Sequence, residues 1–158
     1  IMHPCECGGK YVKKRASLEI QDPFVGPVKR DRVDYEECDR CGELILPLET
    51  ARAFDDAAEA LLEDILKKQP IRDFLTASET AAILGITKQA LHKNRRIRHG
   101  FIYRTSLGGL AVYLKKSVEL YKKKGDGRFP LSELTSDLGE KPASTRRVVD
   151  SVYRVHEP

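Results

Sequence analysis

Leu75-Thr76-Ala77-Ser78-Glu79-Thr80-Ala81-Ala82-Ile83-Leu84-Gly85-Ile86-Thr87-Lys88-Gln89-Ala90-Leu91 is the stretch whose reading decides the second half of the chain. Thr76 and Glu79 have the spacing of a capping box, in which the hydroxyl takes the Glu79 amide and the carboxylate reaches back to the Thr76 amide. A helix is expected to start there. Ala81, Ala82 and Leu84 are expected to pack inward, Gly85 to permit a sharp turn, Ile86 to plug it, and Thr87 to cap a second helix from Lys88. That is the pattern of a helix-turn-helix. Leu91 and Ala90 would face the first helix, leaving Lys88, Gln89, His92, Lys93, Arg95 and Arg96 outward.

The outward side chains suit nucleic acid. Glutamine pairs bidentately with adenine, lysine and arginine with guanine or phosphate, and the amides of a capped helix start hold a phosphate. Lys88 and Gln89 are the candidates for base contact, and Arg95, Arg96 and Arg98, toward the helix end, for phosphate contact. Gly100-Phe101-Ile102-Tyr103-Arg104 and Leu110-Ala111-Val112-Tyr113-Leu114 read as two strands around Ser106-Leu107-Gly108-Gly109, a hairpin that would form a wing and present Arg104. A helix over 115–124 comes next. Its Lys122-Lys123-Lys124 are read first as cations complementing a helix C-terminus before Gly125.

Charge points the same way. Between Ile86 and Arg128 twelve lysines and arginines face only Glu119 and Asp126, a net +10, whereas Glu43 to Gly85 carries nine acidic against four basic residues. A basic block that also bears a fold signature is the electrostatic footprint of a nucleic-acid site.

Working toward the N-terminus, the four cysteines form two close pairs, Cys5-Glu6-Cys7 before Gly8-Gly9 and Cys38-Asp39-Arg40-Cys41 before Gly42. Zinc takes four tetrahedral thiolate or imidazole ligands, and a glycine after the second cysteine lets backbone amides turn toward the sulfurs. Structural zinc on Cys5, Cys7, Cys38 and Cys41 is the expectation. His3 is the alternative to Cys5, because Cys-x-Cys is tighter than the usual knuckle. Two disulfides, a redox Cys-x-x-Cys or an iron centre are the other readings of the same residues. Leu18-Glu19-Ile20 and the region Val28 to Tyr35, separated by the turn-like Asp22 to Pro27, suggest a small β-ribbon between the pairs. So short a segment has little core, and a structural zinc would contribute on the order of 10 kcal/mol to its folding.

From Pro47 to Phe74 the pattern is helical, with Phe54, Ala58, Leu61, Leu62 and Ile65 on one face and Asp55, Asp56, Glu59, Glu63 and Asp64 on the other. That helix is read as packing on its neighbours, with a dimer contact or a surface for a basic partner as the sharper alternative. At the far end, Glu140-Lys141-Pro142-Ala143-Ser144 reads as a linker and Thr145 as the cap of a short helix holding Val148, Val149 and Val152. The expected architecture is α+β: a zinc-bound β module over 1–48, a helical linker over 49–74, a winged helix-turn-helix over 75–131 and a C-terminal extension over 132–158.

Cys7-Gly8-Gly9, the ribbon, Gly26-Pro27-Val28, Tyr35 and Cys38-x-x-Cys41-Gly42-Glu43 together resemble the YgiT-type zinc finger of the MqsA antitoxin family, over about the first third of the chain. The first pair departs from that pattern, which usually has Cys-x-x-Cys and would place a cysteine at Pro4. The later stretch from Leu75 to Thr87, with the Gly108-Gly109 turn and Tyr113, is similar to the winged helix of MerR and excisionase proteins. The first resemblance implies a zinc module that engages a toxin, joined to a dimeric repressor of its own operon.

These readings converge on a DNA-binding transcriptional regulator, an antitoxin-like autorepressor acting as a homodimer on double-stranded DNA. The alternative is a protein-interaction adaptor whose zinc module binds a partner such as a toxin. No enzyme is expected, since the chain has no hydrolase elbow, phosphate loop or His-Glu zinc motif, and its histidines, His3, His92, His99 and His156, are scattered. No apolar run approaches the roughly 18 residues of a membrane helix. Ile1-Met2-His3-Pro4 lacks the basic flank and apolar core of a secretory signal, so a cytoplasmic location is expected.

Overall fold

The computed structural model describes residues 4–135 and 153–156. In chain order the elements are β1 (Tyr11–Asp22), β2 (Gly26–Cys38), β3 (Leu44–Pro47), α1 (Leu48–Lys67), β4 (Phe74–Thr76), α2 (Ala77–Leu84), α3 (Lys88–Lys93), α4 (Arg95–Arg98), β5 (Arg104–Leu107), β6 (Leu110–Leu114), α5 (Lys115–Lys124), α6 (Ser132–Thr135) and β7 (Tyr153–His156). The fold is mixed α+β and separates into two units, Ile1–Ala60 with Leu138–Pro158, and Leu61–Asp137.

In the first unit β1 and β2 form an antiparallel hairpin, β3 adds antiparallel to β2, and β7 lies parallel to β3. The hairpin turn closes because the Asp22 carboxylate accepts the amides of Phe24 and Val25, at 2.8 and 3.0 Å. Ile20, Val28 and Tyr35 from the hairpin, with Leu44 and Leu46 of β3, bury against Ala51 and Phe54 of α1. Each such apolar side chain contributes roughly 2 kcal/mol when removed from water. The strands run well past the apolar alternation that announced them. Their outer stretches are charged and exposed, and are held by the backbone ladder and cross-strand pairs such as Lys14 with Glu37 (2.9 Å) and Arg15 with Asp34 (3.4 Å).

The helical face expected on α1 is partly displaced. Leu61 is 38% exposed, whereas Leu66, outside the expected apolar face, is fully buried. The reason is that α1 spans both units, so its two ends bury different residues and no single stripe is required. The expected helix after Thr145 lies outside the described residues, as does His3.

In the second unit β4, β6 and β5 form an antiparallel sheet in that order, and Leu75, Ala81, Leu91, Ile97, Ile102, Tyr113 and Val118 make its core. The capping box is formed: the Thr76 hydroxyl accepts the Glu79 amide at 3.1 Å and the Glu79 carboxylate accepts the Thr76 amide at 3.2 Å. Thr76→Ala is expected to cost about 1 kcal/mol, read as a lower denaturant midpoint at unchanged m-value. Gly85 ends α2 with φ 69°, a left-handed conformation that lets the Ile86 amide reach back to the Ala81 carbonyl at 3.0 Å.

Three local expectations are corrected. Ala82 and Ala90 are exposed rather than inward, because Ala81 and Leu91 are the residues of α2 and α3 that enter the core cluster. The first hairpin strand begins at Arg104, not Gly100, since the Tyr103 amide is taken by the Ser117 hydroxyl at 2.8 Å. The helix from Lys88 stops at Lys93: Asn94 adopts ψ 119° and its side chain accepts the Ile97 amide at 3.2 Å, starting a separate helix, α4. Asparagine favours such a cap over a helix interior because its side chain competes for backbone hydrogen bonds.

Candidate functional site

Two turns of the first unit bring the four cysteines together. Before β1, Gly8 donates to the Cys5 carbonyl (2.9 Å) and Cys5 to that of Gly9 (3.1 Å). After β2, Gly42 donates to the Cys38 carbonyl (3.1 Å) and Cys38 to that of Glu43 (2.9 Å). The turns are stitched by the Asp39 amide on the Lys10 carbonyl (3.0 Å) and the Lys10 amide on the Asp39 carboxylate (2.9 Å). The hairpin register, Tyr11 opposite Cys38, sets them side by side.

The result is a cluster in which the Sγ atoms of Cys5, Cys7, Cys38 and Cys41 all lie within 4.8 Å of one another. Cys5 and Cys41 are 3.6 Å apart, Cys7 and Cys38 3.4 Å. Thiolates at the usual zinc bond length on the corners of a tetrahedron stand about 3.8 Å apart. The donor set therefore fits one metal ion. Two amides point at sulfur, Gly9 at Cys7 and Arg40 at Cys38, each at 3.4 Å, as needed to disperse thiolate charge.

Two further residues belong to this centre and were not singled out as site residues in the sequence. The Glu43 carboxylate accepts the Tyr11 hydroxyl at 2.6 Å and the Cys5 thiol at 3.2 Å. Only the Gly42-Glu43 pair following Cys41 hinted at Glu43; Tyr11 gave no signal because its role depends on strand pairing. The thiols are differentiated accordingly. At Cys5 the hydrogen bonds from Tyr11 and from the Cys7 backbone lower the pKa, but burial, Glu43 and the Cys7 side chain outweigh them and push it up to about 12. At Cys38 the Cys41 amide leads in lowering the value to about 7, against the opposing effect of burial.

The second group of candidates lies on α3, α4 and β5. Lys88, Gln89, His92 and Lys93 on α3, Arg95, Arg96 and Arg98 on α4, and Arg104 on β5 are all exposed. The Thr87 hydroxyl caps α3 by accepting the Ala90 amide at 3.0 Å, and fully buried Leu91 anchors it. The break at Asn94 divides the set, so the three arginines lie along a different axis from Lys88 and Gln89. Arg104 donates to the Arg98 carbonyl at 3.4 Å, which ties the hairpin to the end of α4. Among the described residues none of these eight takes part in an ion pair.

No helix among the described residues is long and apolar enough to cross a membrane. Comparison of the chain with protein-family models, curated proteins and solved structures gives no match.

Proposed function

We propose that this chain is a non-enzymatic, DNA-binding transcriptional regulator, in which a zinc-stapled β module is joined to a winged helix-turn-helix. In this reading α2 and α3 are the two helices of the motif, α3 enters the major groove, and the β5–β6 hairpin is the wing. The observation that carries it is the outer surface of α3. Lys88, Gln89, His92 and Lys93 project from a capped helix with no acidic partner among the described residues, leaving donors and a bidentate amide available for base edges. Zinc is the metal that four thiolates of this spacing suit best, and such a closed set would leave no coordination position for catalytic water. Its part is structural.

The resemblance of the cysteine module to the MqsA family supports two further elements: autorepression as a homodimer, and engagement of a toxin protein by the first unit. The test is binding to DNA upstream of the protein's own gene, measured against salt. Log affinity is expected to fall linearly with log salt, at a slope of about −0.9 per phosphate contacted. Lys88→Ala with Gln89→Ala should lower affinity for the preferred sequence by about 10- to 100-fold and leave non-specific binding much less affected. A chain that shows no DNA binding at low salt, yet captures a partner through the first unit, would instead be the protein-interaction adaptor.

A further inference from the structure

Resting on the DNA-binding reading, we propose that the C-terminal end of α5, with Lys122, Lys123 and Lys124, together with Arg96 of α4, forms a separate clamp for the DNA phosphate backbone that makes no contribution to base choice.

The first observation is proximity. A methyl group on Gly125, just past α5, would lie 3.6 Å from the Arg96 guanidinium, so the Arg96 side chain reaches the C-terminal end of α5. The break at Asn94 makes this possible by taking Arg96 off the α3 axis. Arg96 therefore stands beside the last turn of α5, the turn that bears Lys122, Lys123 and Lys124.

The second observation is an excess of charge. Cations at a helix C-terminus are ordinarily explained by the macrodipole, whose end is equivalent to only about half a negative charge. Arg96 alone more than balances that. Asp126, two positions beyond Lys124, is engaged side-on by Arg128, at 2.9 Å, while that guanidinium also stacks over Phe101 at 4.1 Å. The Arg128 hydrogen bond is the leading reason the Asp126 carboxyl is held below its ordinary range, with Arg96 adding to the effect.

Lys122, Lys123 and Lys124 are exposed and, among the described residues, have no acidic partner. Lys116 on the same helix behaves differently. It pairs with Glu133 at 3.1 Å and lies over the Phe129 ring at 4.7 Å, so its charge is used within the fold. Exposed cations gathered at one helix end without an ion-pair partner among the described residues suit a polyanion. Flexible lysines suit phosphate as point charges rather than as readers of base edges.

The experiment compares wild type, the triple variant Lys122→Gln/Lys123→Gln/Lys124→Gln and the charge-preserving Lys122→Arg/Lys123→Arg/Lys124→Arg. Each is titrated with a preferred duplex and a scrambled duplex across a salt series, alongside a thermal melt. The glutamine variant is expected to bind both duplexes about a hundredfold more weakly near 0.1 M salt, with the log–log slope reduced by about 2 to 3 and the preference between duplexes unchanged. The arginine variant should restore affinity and slope. An unchanged slope with a lowered melting temperature would overturn the inference, since the lysines would then serve only the helix end. Loss of preference between duplexes would overturn it too. Failure of wild type to bind either duplex would overturn the DNA-binding reading itself and the clamp with it.

Discussion

Cys38→Ser is expected to abolish stoichiometric metal binding and to unfold the two cysteine turns while leaving the rest of the first unit folded. Cys38 is one of the two buried cysteines of the set, it receives the Arg40 amide, and its backbone closes the second turn on Glu43. Residues 4–10 contribute little apolar burial, the local cluster being Cys5, Tyr11 and Cys38 with Ile45 beside it. A few backbone hydrogen bonds of about 1 kcal/mol each cannot offset the entropy of ordering such a segment, at roughly 1–2 kcal/mol per residue. Metal ligation, on the order of 10 kcal/mol, can. The cluster of Ile20, Val28, Tyr35, Leu46 and Phe54 does not depend on it. Hydrogen exchange should therefore show protection lost at 4–10 and 38–43 and kept at 18–28, and metal analysis should show loss of the ion. Retained protection at 4–10 in the variant would contradict the expected dependence on metal.

The same centre predicts a pH dependence. Cys5 and Cys41 are both raised in the metal-free protein; at Cys41 the Glu43 backbone and the Cys5 side chain lower the value, but burial and the neighbouring Cys7 and Cys38 side chains outweigh them. Both are protonated at neutral pH and must release a proton to bind metal. Affinity should thus rise with pH by at least about a hundredfold per unit near neutrality, and fall correspondingly in acid. A pH-independent affinity in competition with a chromogenic chelator would sink this expectation. Gly9→Ala provides a separate steric test, because its methyl group would stand 2.5 Å from the Cys38 sulfur and 2.8 Å from the Asp39 carboxylate.

Gly127→Ala is expected to destabilise the second unit by about 3 kcal/mol, which for a unit of this length lowers Tm by about 15 °C. Gly127 is buried between α5 and the segment before β5. A methyl group there would collide with the Ser117 carbonyl and come within 2.7 Å of both the Phe101 carbonyl and the Ser117 hydroxyl. The obstacles are mostly backbone, so relief requires moving the chain. The position is also tied from both sides, Gly127 donating to Phe101 at 2.7 Å and accepting from Ser117 at 2.8 Å. Phe129, two residues on, is locked as well: the Tyr103 hydroxyl donates to its carbonyl at 2.7 Å and accepts its amide at 3.2 Å, with the rings edge to face. A Tm within a few degrees of wild type would show that this segment can shift without loss.

What the sequence determined by itself is what short-range chemistry dictates. The Thr76 capping box, the Gly85 turn, the Thr87 cap and the Gly108-Gly109 hairpin turn each depend on residues within a few positions of one another, and all four are formed. The paired cysteines likewise announced a cluster that could hold a metal ion. Tertiary structure decided the rest, because it depends on registers and contacts between residues distant in the chain. Strand pairing placed Tyr11 and Glu43 around Cys5, and the three-residue β4, too short to show alternation, was defined by its partner β6. Packing exposed Ala82 and Ala90, buried Leu66 in place of Leu61, and brought Arg96 to the end of α5. A periodic pattern identifies which residues are apolar, but only the surrounding elements determine which of them find a surface to cover.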